Sequence, residues 1–229
     1  MLVGATGLVG ASVLAKAPLC YDMSIAALVR RPRENLPPTV DLYVADPGDW
    51  PKSIDAIRPT VFASALGTTW NAAGRSQEAF RAVDQRLVIA CARAAREAGA
   101  QHCIVVSSVG ADAKSGNFYL RVKGEVEEEL GRLGFARLDI LRPGLLRGDR
   151  GGERRLGERL AIMASSVVDR LLWGNAARFR SICAQTVAEA ILRLSQARTP
   201  GKFTHYNQQI ADAAAELAKG GAGVASRTS

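Results

Sequence analysis

Short β-branched runs alternate with longer stretches of helical period along the first 142 residues. The runs at 1–4 (MLVG), 24–29 (SIAALV), 40–44 (VDLYV), 59–66 (PTVFASAL), 102–107 (HCIVVS) and 136–141 (ARLDIL) read as strands. Several are almost unbroken apolar stretches, as expected where helices cover both faces of a parallel sheet. Between them, 8–17 reads as a helix entered from a glycine turn, and 118–130 as another. A long helix is expected over 76–98, with Phe80, Val83, Leu87, Val88 and Cys91 on one face and Gly99 ending it. Strands alternating with helices in this way predict an open α/β sheet with right-handed crossovers. Past Pro143 the pattern loosens. Residues 148–159 read as a loop or helix approach, and 165–173 as a short helix. Thr186 with Glu189 resembles a capping box opening 186–194, and 220–229 reads as a small, polar tail. There is no repeat and no clear linker, so one unit over 1–219 is expected, with its core in 1–150 and a smaller part in 151–219. Only Met1 to Val3 precede the first glycine, which makes the first strand short and leaves open a start further upstream.

Composition agrees. At roughly 150 residues per domain, 229 residues make one domain to one and a half. A chain 48% hydrophobic and 23% charged is globular and not disordered. No apolar stretch reaches the ~18 residues of a membrane span, so no membrane partner is expected. MLVGATG lacks the features of a secretory leader. The four cysteines, Cys20, Cys91, Cys103 and Cys183, form no C-x-x-C pair, and a reduced, cytoplasmic protein is expected from them. The net charge of +8 could suit an anionic partner, but the 24 Arg and 6 Lys are spread along the chain without interleaved aromatic residues. Nucleic acid is therefore not expected.

Gly4, Gly7 and Gly10 stand at G-x-x-G-x-x-G spacing between a strand and a helix. Such glycines allow a tight turn, close approach of backbone N–H groups to a diphosphate, and close helix–strand packing, with the anion at the helix N-terminus. A dinucleotide is the expected ligand, a purely structural turn the alternative. At the end of the second strand, where an NAD site would carry Asp or Glu, the chain has Arg30 and Arg31. Two guanidiniums suit a 2′-phosphate and favour NADP(H) over NAD(H); the other reading is a solvated loop start. Ser107 and Ser108 end the fifth strand, and Tyr119 and Lys123 share a helix face at i, i+4. A nearby ammonium favours the phenolate, which suits Tyr119 to proton transfer, and a serine hydroxyl could hold a substrate oxygen. Alone, Y-x-x-x-K is common and reads equally as a half-buried Tyr beside a solvated Lys.

In combination the motifs carry a resemblance. GATGLVG, the strand-end LGTT at 66–69, SSVGAD at 107–112, NFYLRVKGEVE at 117–127 and LRPGLLRGDR at 141–150 occur in this order. Together they resemble the atypical short-chain dehydrogenase/reductases, specifically the Tat-interacting-protein-like oxidoreductases. The resemblance implies a single Rossmann-type, doubly wound parallel sheet with helices on both faces and a small C-terminal substrate-side extension. It implies NADPH, a diphosphate held around Gly4, Thr6, Gly7, Leu8, Val9 and Gly10, Tyr119 as acid/base, and Lys123 on the nicotinamide ribose. Ser108 would orient the carbonyl, with Ser107 a near second choice. Gly67 and Thr68 would pass under the cofactor, and Pro143, Gly144 and Leu145 would flank the nicotinamide. A hydride would then move between nicotinamide C4 and a small carbonyl or hydroxyl compound.

One departure is Asp84, where many relatives carry Asn, and it puts in doubt a proton relay built on that Asn. An NADP(H)-binding regulator with a protein partner and little turnover is the second reading. A sugar-nucleotide epimerase or dehydratase is disfavoured by the chain's length and by the arginines. His102 opens a buried strand and reads as structural, with no metal expected. Glu125, Glu127, Glu128 and Glu129 read as the solvated face of the helix, and Trp70 as pocket wall or packing.

Overall fold

A computed structural model describes residues 1–20, 23–69, 71–148 and 179–225 of the chain. The segment expected as a loop and short helix over 149–173, and Trp70, lie outside the described residues. The strands are β1 (Leu2–Val3), β2 (Ile25–Val29), β3 (Val40–Val44), β4 (Val61–Ser64), β5 (His102–Val106), β6 (Arg137–Leu141), β7 (Leu146–Arg147), β8 (Ile182–Cys183) and β9 (Gly201–His205). The helices are α1 (Leu8–Lys16), α2 (Trp50–Ile57), α3 (Gln77–Arg81), α4 (Val88–Glu97), α5 (Phe118–Arg132), α6 (Ala184–Ser195) and α7 (Asn207–Ala225). Seven strands form one sheet in the order β3-β2-β1-β4-β5-β6-β9, and every neighbouring pair is parallel. Strand order reverses between β1 and β4, and in such sheets ligands bind beyond the carboxyl ends at that reversal. The chain has the expected doubly wound α/β fold.

Period-two alternation builds the two halves of the core. Leu2, Ala27, Val29, Ala63, Ile104 and Leu141 face one layer, with Val9 and Val13 of α1 and Val187 and Ile191 of α6. Val3, Leu28, Phe62, Cys103, Val105 and Ile140 face the other, with Ile54 of α2, Cys91 of α4 and Val126 of α5. Because both faces are covered, β5 and β6 are buried at every position.

The structure departs from the sequence expectation in several elements. The helix expected over 76–98 is interrupted by a π-helical segment, Ala82–Leu87, between α3 and α4. The capping box is absent. α6 begins at Ala184 with Cys183 before it and no side-chain cap, because β8 delivers the chain straight into the helix and leaves Thr186 inside its first turn. β9 pairs with β6 at the sheet edge, and the terminal helix runs to Ala225, into the segment expected as a tail.

All four cysteines are free. Burial pushes the Cys91 thiol up to about 12, raises Cys103 further, and raises Cys20 against a hydrogen bond from Gln196. Cys183 alone is partly exposed. A thiol-exchange assay on the native protein at pH 8 is expected to show one fast thiol and three that react only on denaturation; two or more fast thiols would contradict the core assignment.

Candidate coenzyme cleft and proton-transfer site

The turn after β1 is set by close backbone approach. Gly4 has φ +80°, and a Cβ there would lie 2.4 Å from the Ala65 carbonyl carbon. The Gly7 N–H donates to the Gly4 carbonyl at 3.0 Å, and a Cβ on Gly10 would meet that same oxygen at 2.1 Å. Gly4 and Gly10 are therefore packing necessities, which press α1 against β1 and the end of β4. Val9 is buried in the core, so it could reach a ligand only through its backbone, and Leu8 is partly buried against that core. At the start of α1, Gly7 supplies no side-chain cap and the first turn has no acidic residue. The first-turn N–H groups are thus left for an anion.

Above this turn opens a cleft of about 830 Å³, reaching from Gly4, Thr6 and Gly7 past Arg30 and Trp50 to Gly67 and Thr68. Arg30 lines it from the end of β2; Arg31, exposed on the turn beyond, does not. Arg86 lines it as well, from the π-helical segment, and among the described residues no carboxylate does. Arg86 is held by Glu78 at 2.6 Å. The sequence reading missed Arg86, because nothing in its spacing announces a π turn. A cationic, glycine-floored cleft at the strand reversal, beside an uncapped helix start, fits a dinucleotide phosphate.

The cleft continues into a buried polar cluster. Thr68 N–H donates to Asp84 Oδ2 at 2.7 Å, and Lys123 Nζ lies 2.8 Å from Asp84 Oδ1. That second contact is poorly angled, so Oδ1 has no aligned hydrogen bond. Asp84 is 1% exposed and Lys123 6%, so Lys123 is not the solvated residue that its motif alone would allow. Tyr119 is 39% exposed, with its ring edge-on to Phe80 at 5.8 Å and Lys123 Nζ 5.9 Å from its centroid. Asn117 caps α5 by accepting from Leu120 N–H at 3.1 Å, which fixes where this face begins.

The two serines part company. Ser108 is partly exposed, and among the described residues its hydroxyl makes only a 3.3 Å bond to the Val109 carbonyl. Ser107 is buried, and its hydroxyl donates to Glu127. Glu127 is 5% exposed, which corrects its reading as solvated: it is i+4 from Lys123 and faces inward, bound on both oxygens by Arg142. The Glu127 hydrogen bond raises Arg142 above its already high value. Glu125 and Glu129 also have partners: Glu125 meets Arg81 of α3 and Gln85 of the π-helical segment, Glu129 meets Gln85, and Glu128 is exposed. The Pro143 carbonyl accepts from Val109 N–H at 2.9 Å, and Gly144 N–H donates to Asn207 Oδ1 at 2.9 Å. Asn207 thus pins the loop that carries Pro143, Gly144 and Leu145, a tie the sequence did not reveal.

His102 and His205, remote in sequence, meet at one carboxylate. Each Nε2 lies 2.6 Å from Asp139, on opposite oxygens. Among the described residues no group of three or more His, Cys, Asp or Glu could hold a metal ion.

A family model described as NAD(P)H-binding matches residues 4–195. The chain is 39% identical over 173 residues to "Protein FMP52, mitochondrial" of Eremothecium gossypii, covering 74% of this chain and 76% of that protein. It is 32% identical over 223 residues to the Debaryomyces hansenii protein of the same name, covering 95% and 86%. Among solved structures, the fold resembles a Thermus thermophilus UDP-glucose 4-epimerase in complex with NAD. The TM-score is 0.64 at 17% identity, covering 96% of this chain and 82% of that one. It also resembles Escherichia coli serine dehydrogenase, with TM-score 0.58 at 13% identity, covering 90% and 96%. At such identities the likeness is one of fold.

The cytoplasmic expectation is overturned by the fungal relatives, which carry the name of a mitochondrial protein. Unpaired cysteines mark a reducing setting and do not distinguish among reducing compartments. The glycine turn, the sheet topology and these matches agree: the chain belongs to the NAD(P)H-binding family, among the atypical short-chain dehydrogenase/reductases.

Proposed function

We propose that this chain is an NADPH-dependent oxidoreductase acting on a small carbonyl or alcohol, with Tyr119 as the acid/base. The reading rests on one juxtaposition. Asp84 touches both Thr68, on the floor of the cationic cleft, and Lys123, four residues past Tyr119 on α5. Coenzyme cleft and proton-transfer pair are therefore one site.

In this reading the α1 N-terminus, through the backbone of Thr6, Gly7, Leu8 and Val9, holds the diphosphate. Arg30, with Arg86 lining the same cleft, takes the 2′-phosphate. Pro143, Gly144 and Leu145 border the nicotinamide end, on the loop braced by Asn207. Bound NADPH would supply a hydride. Tyr119 gives its phenolic proton to the substrate oxygen on reduction and takes it back on oxidation. Ser108, its hydroxyl nearly free, orients that oxygen; Ser107 does not, because its hydroxyl is committed to Glu127. Lys123 places its side-chain nitrogen beside the Tyr119 ring, 5.9 Å from the centroid.

Parallel titrations with NADPH and NADH test the coenzyme assignment. The wild type is expected to favour NADPH. Arg30→Ala should raise the Kd for NADPH about tenfold or more, the worth of a charged hydrogen bond, and leave NADH within about twofold. Preference for NADH in the wild type would overturn the role of Arg30. A carbonyl panel then tests turnover: tight NADPH binding that no carbonyl discharges would favour the regulatory reading.

A further inference from the structure

Asp84 owes its place to a wide helical turn. A π segment inserts an extra residue and rotates the following side chains, and such segments recur at functional sites. Here the segment Ala82–Leu87 turns Arg86 to the cleft and Asp84 to the interior. The carboxylate then meets two different demands. Oδ2 accepts from the Thr68 backbone, at the edge of the coenzyme floor, and Oδ1 faces the Lys123 ammonium.

The first demand needs only an acceptor, which an amide would meet as well. The second needs a charge. Asp84, Ser107, Lys123 and Glu127 border one internal void with no room for water. Of the other described polar groups near Lys123, Glu127 is occupied by Arg142 and Ser107, and Tyr119, outside the void, presents its ring 5.9 Å away. Among the described residues Asp84 is thus the counter-ion left for Lys123. A buried ammonium that loses its partner favours the neutral amine.

We propose that Asp84 is a positioning residue with two separable tasks: its negative charge fixes Lys123 beside Tyr119, and its second oxygen seats Thr68 under the coenzyme. The catalytic consequence rests on the oxidoreductase reading; the pairing itself does not.

The test uses the full-length protein without coenzyme. Its amines are pulse-labelled with acetic anhydride near neutral pH and read lysine by lysine by peptide mass spectrometry. Lys52, exposed on α2, is the internal reference. In Asp84→Asn the labelling of Lys123 relative to Lys52 is expected to rise about tenfold or more, because the buried amine has lost its counter-ion. NADPH affinity should stay within about threefold, because Thr68 keeps an acceptor. In Asp84→Ala both should change, with NADPH weakened about tenfold by the unpaired Thr68 N–H.

An unchanged Lys123 ratio in Asp84→Asn would overturn the charge task. Equal loss of NADPH affinity in the two variants would overturn the seating task. Where Asp84→Asn alone fails to fold, the double replacement Asp84→Asn/Lys123→Met removes both charges and should regain a cooperative melt; a double variant that also fails overturns the pairing. A wild type that neither binds nor consumes NADPH would end the functional reading, while the labelling ratio still judges Asp84 and Lys123.

Discussion

Replacing Asp139 by alanine is expected to destabilise the fold by about 3–5 kcal/mol, the typical result of leaving a buried charge without its partner. Asp139 is fully buried in the middle of β6. Three side chains converge on it: Arg137 through two nitrogens, His102 from β5 and His205 from β9. Arg137 is itself 8% exposed, and its guanidinium lies 4.3 Å from the Phe203 ring centroid. Without Asp139 this buried guanidinium keeps, among the described residues, the Phe203 ring and the Thr199 carbonyl, the latter at 2.7 Å. A carboxylate only accepts hydrogen bonds, so both imidazoles present Nε2–H to it, and His102 Nδ1 is buried with no hydrogen-bond partner among the described residues.

Burial alone would raise the Asp139 pKa. The hydrogen bonds from His102, His205 and Arg137, with the guanidinium's charge, outweigh it and hold the carboxyl well below the usual range. A depressed folded pKa means stability that is present above the unfolded value of about 3.9 and lost as pH falls below it. Urea unfolding at pH 7 should therefore show the full difference between wild type and Asp139→Ala, and the difference should shrink below about pH 4. A change under 1 kcal/mol at pH 7 would show that the cluster holds nothing together. The cluster does not touch the coenzyme cleft, so the folded fraction of the variant should bind NADPH as the wild type does.

That cluster also shows where the sequence stops being readable. Strands were legible because two-sided burial turns them into apolar runs, as in HCIVV and RLDIL. The glycine turn was legible because steric demands at Gly4 and Gly10 restrict the residue type. The meeting of His102, Asp139 and His205 depends on strand register, which sets His102 beside Arg137 and Leu141 beside His205 across three strands. No local spacing encodes it. α2 was invisible because only Trp50 and Ile54 are buried within its eight residues. β9 was missed because its exposed edge positions leave GKFTH without an apolar run.

At the site, the i, i+4, i+8 spacing of Tyr119, Lys123 and Glu127 was in view, beside buried Val122, Val126 and Leu130. It could have placed Glu127 inside, but the surrounding acidic run argued for water. Asp84 and Arg86 could not be placed, since an ideal helical period assigns faces that the π segment then shifts.

Tyr119→Phe is expected to reduce turnover by about 10²- to 10⁴-fold, the usual contribution of a positioned general acid or base. Little else should change. The substitution deletes one oxygen from a side chain 39% exposed and keeps the ring that packs edge-on to Phe80. Lys123 retains Asp84, and Thr68 retains its acceptor, so NADPH affinity should remain within about twofold and the melting temperature close to that of the wild type. The contrast with Lys123→Met is informative, because that change strands Asp84 inside the protein and should lower stability as well as rate. A loss of kcat with coenzyme binding and stability intact would place the phenol at the reacting oxygen. A Tyr119→Phe variant that keeps more than about a tenth of wild-type activity would remove proton transfer from Tyr119. Ser108, the nearly free hydroxyl at the end of β5, would then be the next group to test, by replacement with alanine in the same assay.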